Sequence, residues 1–281
     1  MTYLLLSVVC SVLVSVLLKL SKRFQLDIGQ AVAWNYVVAG ALTLVALRPA
    51  WAPLQHSGAP WLALIALGVL LPTIFLVLGA SVRHAGIVRS DTAQRLSLVI
   101  SLLAAFFLFG QRFDALAAVG CVLGLAAMVG MVWRGQQGDA HRNVAAWGYP
   151  VAVFAGSGVI DVLFKRVAVA SIPLGSALLV TFGLAMVVAF TIELLRRARF
   201  TRRNLAAGAL LGLLNFGNIL FYLQAHRALP HNPALVFASM NLGVVVVGAL
   251  TGLVVFRERL GRVNAVGLGL ALLAVGLLTH G

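Results

Sequence analysis

Asp161 and Lys165 stand four residues apart in an otherwise apolar run, Gly156-Ser157-Gly158-Val159-Ile160-Asp161-Val162-Leu163-Phe164-Lys165-Arg166. On a helix this spacing places an acid one turn before a base, the favourable order for a pair. Acidic residues number seven among 281. An ionised Asp at the centre of a membrane helix costs about 2.5–3.5 kcal/mol on insertion scales, so an acid kept there is a candidate for function. The chemistry open to Asp161 is proton exchange or pairing with a cationic substrate group. The structural alternative is a self-compensating pair near a helix end.

Other polar groups share this setting. Asn215, Asn218 and Tyr222 are spaced i, i+3, i+7, which puts them on one helix face. Three such groups exceed what packing needs and point to the wall of a polar pathway. The competing use is interhelical glue, worth about 0.6 kcal/mol per buried amide. Asn35 with Tyr36, and Asn241 in Ser239-Met240-Asn241-Leu242-Gly243, are single amides for which glue and pathway weigh equally. Asp91 and Arg95 repeat the acid-first i, i+4 order at a helix start. There Asp complements the dipole and Arg can snorkel. Gln94 and Arg95 nonetheless stand about one to two turns inside, where an arginine is placed to take an anionic group bidentately.

Nothing in the sequence assembles a catalytic or metal centre. The six histidines fall in predicted loops or at helix ends, and none pairs at metal-ligand spacing on a helix face. Cys10 and Cys121 lie in different apolar runs, with neither ligand spacing nor a disulfide framework. Two separate acids, Asp91 and Asp161, are a poor basis for an intramembrane enzyme. A phosphate-binding G-x-x-x-x-G-K-S/T is absent from the sequence.

The elements that must position these groups follow from composition. Apolar residues make up 62% of the chain and charged residues 10%, against about 25% charged in soluble domains. So much apolar surface requires lipid as its solvent. Runs of about 17–25 apolar residues span a bilayer as helices, and ten are read: 2–20, 28–48, 60–81, 88–109, 113–133, 145–166, 172–194, 204–225, 232–255 and 262–280. The predicted fold is an all-α membrane protein of ten transmembrane helices. Lys19, Lys22 and Arg23 follow the first run rather than precede it, the reverse of a secretory signal, so that run is read as a retained helix. The net charge of +14 would suit nucleic acid. Its positives fall between the apolar runs, however, as in cytoplasmic loops, and nucleic acid is set aside as a partner.

The longest polar break runs from Arg134 to Asn143 and divides the chain into halves 1–134 and 145–281, joined by linker 135–144. The halves echo each other. Ser15 to Lys19 matches Asp161 to Lys165 at an offset of 146, and Gly68 matches Gly212 at 144, which brings Arg83 onto Arg227. Gln111-Arg112-Phe113 matches Glu258-Arg259-Leu260, and Ala118-Val119-Gly120 matches Ala265-Val266-Gly267, both at 147. Five helices is an odd number, so a second copy enters the membrane from the other side. Charge agrees. Loops after segments one and three hold six Lys/Arg and those after two and four hold two. In the second half, loops after six and eight hold three, and those after seven and nine hold eight. This reversal is the signature of an inverted repeat with one cytoplasmic side. Counting the linker, 16 of the 21 positives favour cytoplasmic odd-numbered loops, which places both termini outside. The cluster Arg196 to Arg203 is read as a topology signal facing cytoplasm and anionic lipid.

On these features the chain resembles the drug/metabolite transporter superfamily, of the EamA-like type, over essentially its whole length. The resemblance also rests on the junction before the last helix of each half. It reads Phe109-Gly110-Gln111-Arg112-Phe113 followed by Gly120 and Gly124, and Phe256-Arg257-Glu258-Arg259-Leu260 followed by Gly267 and Gly269. Gln111 stands where the family often has Glu, so any role of that acid rests on Glu258. The resemblance implies a secondary transporter with a central pathway, peripheral fifth and tenth helices, and no ATP-binding domain. It also implies cytoplasmic termini, opposite to the charge tally.

The reading is therefore a multi-pass transporter or exporter in a bacterial cytoplasmic (inner) membrane, moving a small organic metabolite by alternating access between two inverted repeats. Asn35, Tyr36, Gln94, Arg95, Asp161, Asn215, Asn218, Tyr222 and Asn241 would line the pathway. Asp161 is the candidate for proton coupling, with counter-substrate exchange as the other mode. The protein would work in the bilayer without cofactor or metal, as a monomer or homodimer. One alternative keeps the fold but moves a lipid-linked or amphipathic substrate. An intramembrane lipid-modifying enzyme is the less favoured one.

Overall fold

A computed structural model gives the fold. It describes residues 1–50, 59–84, 87–111, 115–132 and 148–254, with 266–267, 269–270, 272–274 and 276–277. Arg112, Phe113, Glu258 and linker 135–144 lie outside the described residues, as do the side chains of Lys19, Arg83 and Asp91.

All regular structure among the described residues is helical. The helices are α1 (Thr2–Arg23), α2 (Ile28–Leu47), α3 (Trp61–His84), α4 (Ile87–Leu96), α5 (Leu98–Phe107), α6 (Ala115–Val132), α7 (Gly148–Val169), α8 (Leu174–Leu195), α9 (Arg202–Ala228) and α10 (Pro233–Val254). The described residues beyond 265 are helical too. Ile28–Leu47, Trp61–Ser81, Leu174–Leu195, Arg202–Ala228 and Pro233–Val254 are long and apolar enough to cross a bilayer; Thr2–Leu18, Ala93–Phe107 and Ala118–Ala127 are shorter apolar stretches. Large apolar side chains point outward, Leu62 at 82% and Val45 at 78% exposure. Asn35, Lys165 and His226 are buried. That inversion is what hydrocarbon solvent demands.

The predicted segment 88–109 is two helices rather than one. The Ser97 hydroxyl donates to the Gln94 carbonyl at 2.6 Å, a local bond that competes with the helical ladder. At the end of α5, Gly110 takes φ +64°, and Gln111 N–H returns to the Ala105 carbonyl at 3.0 Å. Glycine adopts that left-handed turn without steric cost.

The chain forms two compact units, each drawing on both halves of the sequence. The first comprises Met1–Leu76 and Leu163–Ala228. In it α2 packs on α8 and α9, and α1 packs on α9. Small residues allow the close approach. A methyl group on Gly212 would stand 2.6 Å from the Asn35 carbonyl oxygen and 2.8 Å from Val38 Cβ. One on Gly68 of α3 would meet Leu184 Cβ of α8 at 2.7 Å. Gly29, at the start of α2, lies against Glu193 and Arg196 at the end of α8. Gly175, at the start of α8, lies against Leu47 at the end of α2. The two helices therefore run antiparallel, and between these ends Tyr36 meets Phe182 with ring centroids 6.3 Å apart.

The second unit comprises Val77–Val162 and Leu229–Gly281. Here α10 packs on α5 and α6, and α4 packs on α6. Gly158 of α7 lies against Ile100 of α5, where a methyl would stand 2.6 Å from Ile100 Cβ.

Candidate substrate-binding site

The sequence candidates divide between the units. The first holds Asn35, Tyr36, Asn215, Asn218 and Tyr222; the second holds Gln94, Arg95, Asp161 and Asn241.

Within the first unit the amides separate by use. Asn218 is committed to packing: its carbonyl Oδ1 accepts the Ser7 hydroxyl at 2.8 Å and its backbone oxygen accepts the same hydroxyl at 2.9 Å. This ties α1 to α9. Asn35 is buried on α2, and neither its Nδ2 nor its Oδ1 has a hydrogen-bond partner among the described residues. The same holds for Asn215 Nδ2, the Tyr36 hydroxyl and Trp34 Nε1. Gly212 brings α9 onto α2 at Asn35, and Asn215 follows one turn later on the same helix. A buried amide left unbonded costs about 1–3 kcal/mol. Three open amide valences at one helix contact, beside an unbonded phenol, are buried polar groups that the described residues leave unsatisfied.

The stripe continues to the end of α9. Tyr222 rests edge-on against Phe164 of α7 at 6.0 Å and against His226 at 4.8 Å. Lys165, which follows Phe164 on α7, is 1% exposed. Arg227 holds these helix ends together, donating from Nε to the Ala168 carbonyl at 3.0 Å and from Nη2 to the Ile172 carbonyl at 2.5 Å. Lys165 is thus not the surface anchor its place near a predicted helix end suggests. His226 is 0% exposed within α9, which extends past the predicted boundary at 225. The signal was present: 226 continues the 215, 218, 222 spacing by one turn.

The opposite end of this unit carries a separate polar clasp. Asp27 caps α2 through Gly29 N at 2.9 Å and Gln30 N at 3.3 Å. Asn204 Nδ2 donates to Gln30 Oε1 at 2.9 Å, and Asn204 Oδ1 accepts Asp27 N at 3.1 Å. Buried Glu193 pairs with Arg196 at 2.7 Å. The α1–α2 loop, which follows Lys22 and Arg23, and the arginine-rich α8–α9 loop are therefore at one end.

In the second unit Asp161 accepts the buried Ser101 hydroxyl at 2.9 Å, joining α7 to α5. Asn241 Nδ2 donates to the Phe237 carbonyl of its own helix at 3.0 Å, a local use. Gln94 and Arg95 are half-buried in the last turn of α4. Gln111 has a role that its type alone did not reveal: its Oε1 accepts Ala234 N at 2.8 Å and caps α10. No group of three or more metal-ligating side chains occurs among the described residues.

The model of the EamA-like transporter family matches residues 1–133. A full-length relative from Haemophilus influenzae, an uncharacterized protein, is 38% identical over 279 residues, covering 97% of this chain and 95% of its own. The chain belongs to the EamA-like transporter family. As an EamA-like protein it is an integral, multi-pass membrane protein of the drug/metabolite transporter type. A solved protein crystal structure shares the fold at TM-score 0.73 with 17% identity, covering 99% of this chain and 97% of that one.

Proposed function

We propose that the protein is a secondary transporter of a small organic solute in a bacterial cytoplasmic membrane, working by alternating access between inverted repeats 1–134 and 145–281. Reciprocal packing carries this reading. Gly29 and Gly175 are 146 residues apart, as are Leu47 and Glu193, so Gly29 on Glu193 and Gly175 on Leu47 are one contact made twice. Tyr36 and Phe182 share that offset and touch each other. Gly212 on Val38 and Gly68 on Leu184 form a second such couple, at offsets of 144 and 146. Contacts in which i meets j and the mate of i meets the mate of j are those of a two-fold axis. The antiparallel course of α2 and α8 supports an axis across the helices, as an inverted repeat requires.

The polar stripe breaks this symmetry. At the α3–α9 offset of 144, Asn215, Asn218, Tyr222 and His226 stand where α3 has Leu71, Ile74, Leu78 and Val82. Polar groups that the repeat does not need are the support for a site on α9, with Asn35 and Asn215 supplying hydrogen bonds. Asp161, which stands opposite Ser15 in the repeat, supplies proton coupling through its bond to Ser101.

The test is a metabolite screen by thermal shift, followed by flux of the best ligand into proteoliposomes. Asn35→Ala and Asn215→Ala each weaken binding about tenfold, and Asp161→Asn removes the pH dependence of flux. Undiminished binding in both alanine variants would sink the site, and an unchanged pH profile would return Asp161 to a structural role.

A further inference from the structure

We propose that the α8–α9 hairpin of the first unit binds the headgroup of an anionic phospholipid, with Arg197, Arg199 and Arg202 holding its phosphate. The site stands apart from the transport reading above. Arg196 to Arg203 contains five arginines, and the structure divides them by use. Arg196 is spent on Glu193. Arg203 is spent on the Phe24 carbonyl, which brings the end of α1, with Lys22 and Arg23 in its sequence, to the hairpin. Arg197, Arg199 and Arg202 are exposed, and their side chains make no hydrogen bond or ion pair among the described residues. The acids at this end are committed elsewhere, Glu193 to Arg196 and Asp27 to the first amides of α2.

Two features separate this cluster from a solvated charge run. Its backbone is fixed: Gln30 donates to the Arg199 carbonyl at 3.0 Å and accepts Thr201 N at 3.3 Å, and Ala198 N returns to the Glu193 carbonyl at 3.1 Å. Between them Phe200 stacks on Phe190 at 5.8 Å and meets Trp34 edge-on at 6.2 Å. The three guanidiniums thus leave a preset turn, and little chain need be ordered on binding. Its flank is also apolar: Leu194 and Leu195, at 67% and 79% exposure, end α8 immediately before the first arginine. Leucines so exposed belong among acyl chains, which sets the arginines at the height of the phosphates. A guanidinium fork matches phosphate oxygens bidentately, and an anionic headgroup supplies the charge that Asp27 and Glu193 do not.

The test is thermal unfolding of the purified full-length protein in a neutral detergent, with phosphatidylglycerol or phosphatidylcholine of the same acyl chains added. Phosphatidylglycerol raises the unfolding temperature by about 2–4 °C more than phosphatidylcholine does. Combining Arg197→Gln, Arg199→Gln and Arg202→Gln abolishes that difference, whereas Arg48→Gln with Arg166→Gln, outside the hairpin, keeps it. If the triple variant is not recovered folded, the three single variants decide, each lowering the difference. Equal melting in the two lipids, the outcome for a cluster that only sets topology, overturns the site. So does a difference that survives the hairpin variants, or one lost equally in the control. A shift of the same size with inorganic phosphate assigns a free anion and overturns the lipid.

Discussion

A single side chain's value here depends on what it bonds, and residue type alone divides the amides poorly. Asn215 and Asn218 are three residues apart on one stripe, yet Asn218 is bound to Ser7 while Asn215 Nδ2 is open. The sequence supplies the spacing but not the location of Ser7, which reaches Asn218 from α1. Lys165 was legible as a charge in an apolar run. Its burial depends on α9 extending to Ala228 and on Arg227 fastening the two helix ends. Gln111 gives the sharpest test at this scale. It caps α10 through an acceptor oxygen, and a helix start also welcomes negative charge. Gln111→Glu therefore keeps the unfolding temperature, whereas Gln111→Ala loses about 1 kcal/mol, or roughly 2–4 °C, in a thermal melt.

Elements were the most legible scale, because lipid requires long apolar runs and the helices follow them closely. The exception is 88–109, where Arg95-Leu96-Ser97-Leu98 contains no Pro or Gly to announce a break. The Ser97 hydroxyl makes it by bonding backwards. Glycines were visible as repeated letters, but their neighbours were not. Gly40 of α2 and Gly183 of α8 have open space where a methyl would go, while Gly212 faces a backbone carbonyl that cannot yield. Gly40→Ala and Gly183→Ala are thus neutral or stabilising, by up to about 1 kcal/mol. Gly212→Ala forces α9 off α2 and costs about 1–3 kcal/mol. Melting curves of the purified variants check the sign: a tolerated Gly212→Ala would mean that the α2–α9 contact has room for a methyl group.

For the whole molecule, the clasp fixes which loops share a side. Arg203 donates to the Phe24 carbonyl, and Arg199 and Thr201 meet Gln30, so the α1–α2 and α8–α9 loops face one compartment. In a background with Cys10→Ala and Cys121→Ala, an impermeant maleimide labels Phe24→Cys and Arg197→Cys from the same side, and Ser171→Cys from the other. The charge tally makes the first side cytoplasmic, so intact cells label Ser171→Cys alone. Labelling Phe24→Cys and Arg197→Cys from opposite sides would contradict the fold; a full reversal would contradict only the tally. The α2–α8 crossing has one further consequence. Gly29 rests on an ion pair and Gly175 rests on leucine, so the two mouths of that crossing obey different rules. Ionic strength acts on one and is nearly invisible to the other. The exchange of one leucine for one glutamate makes the two mouths unequal.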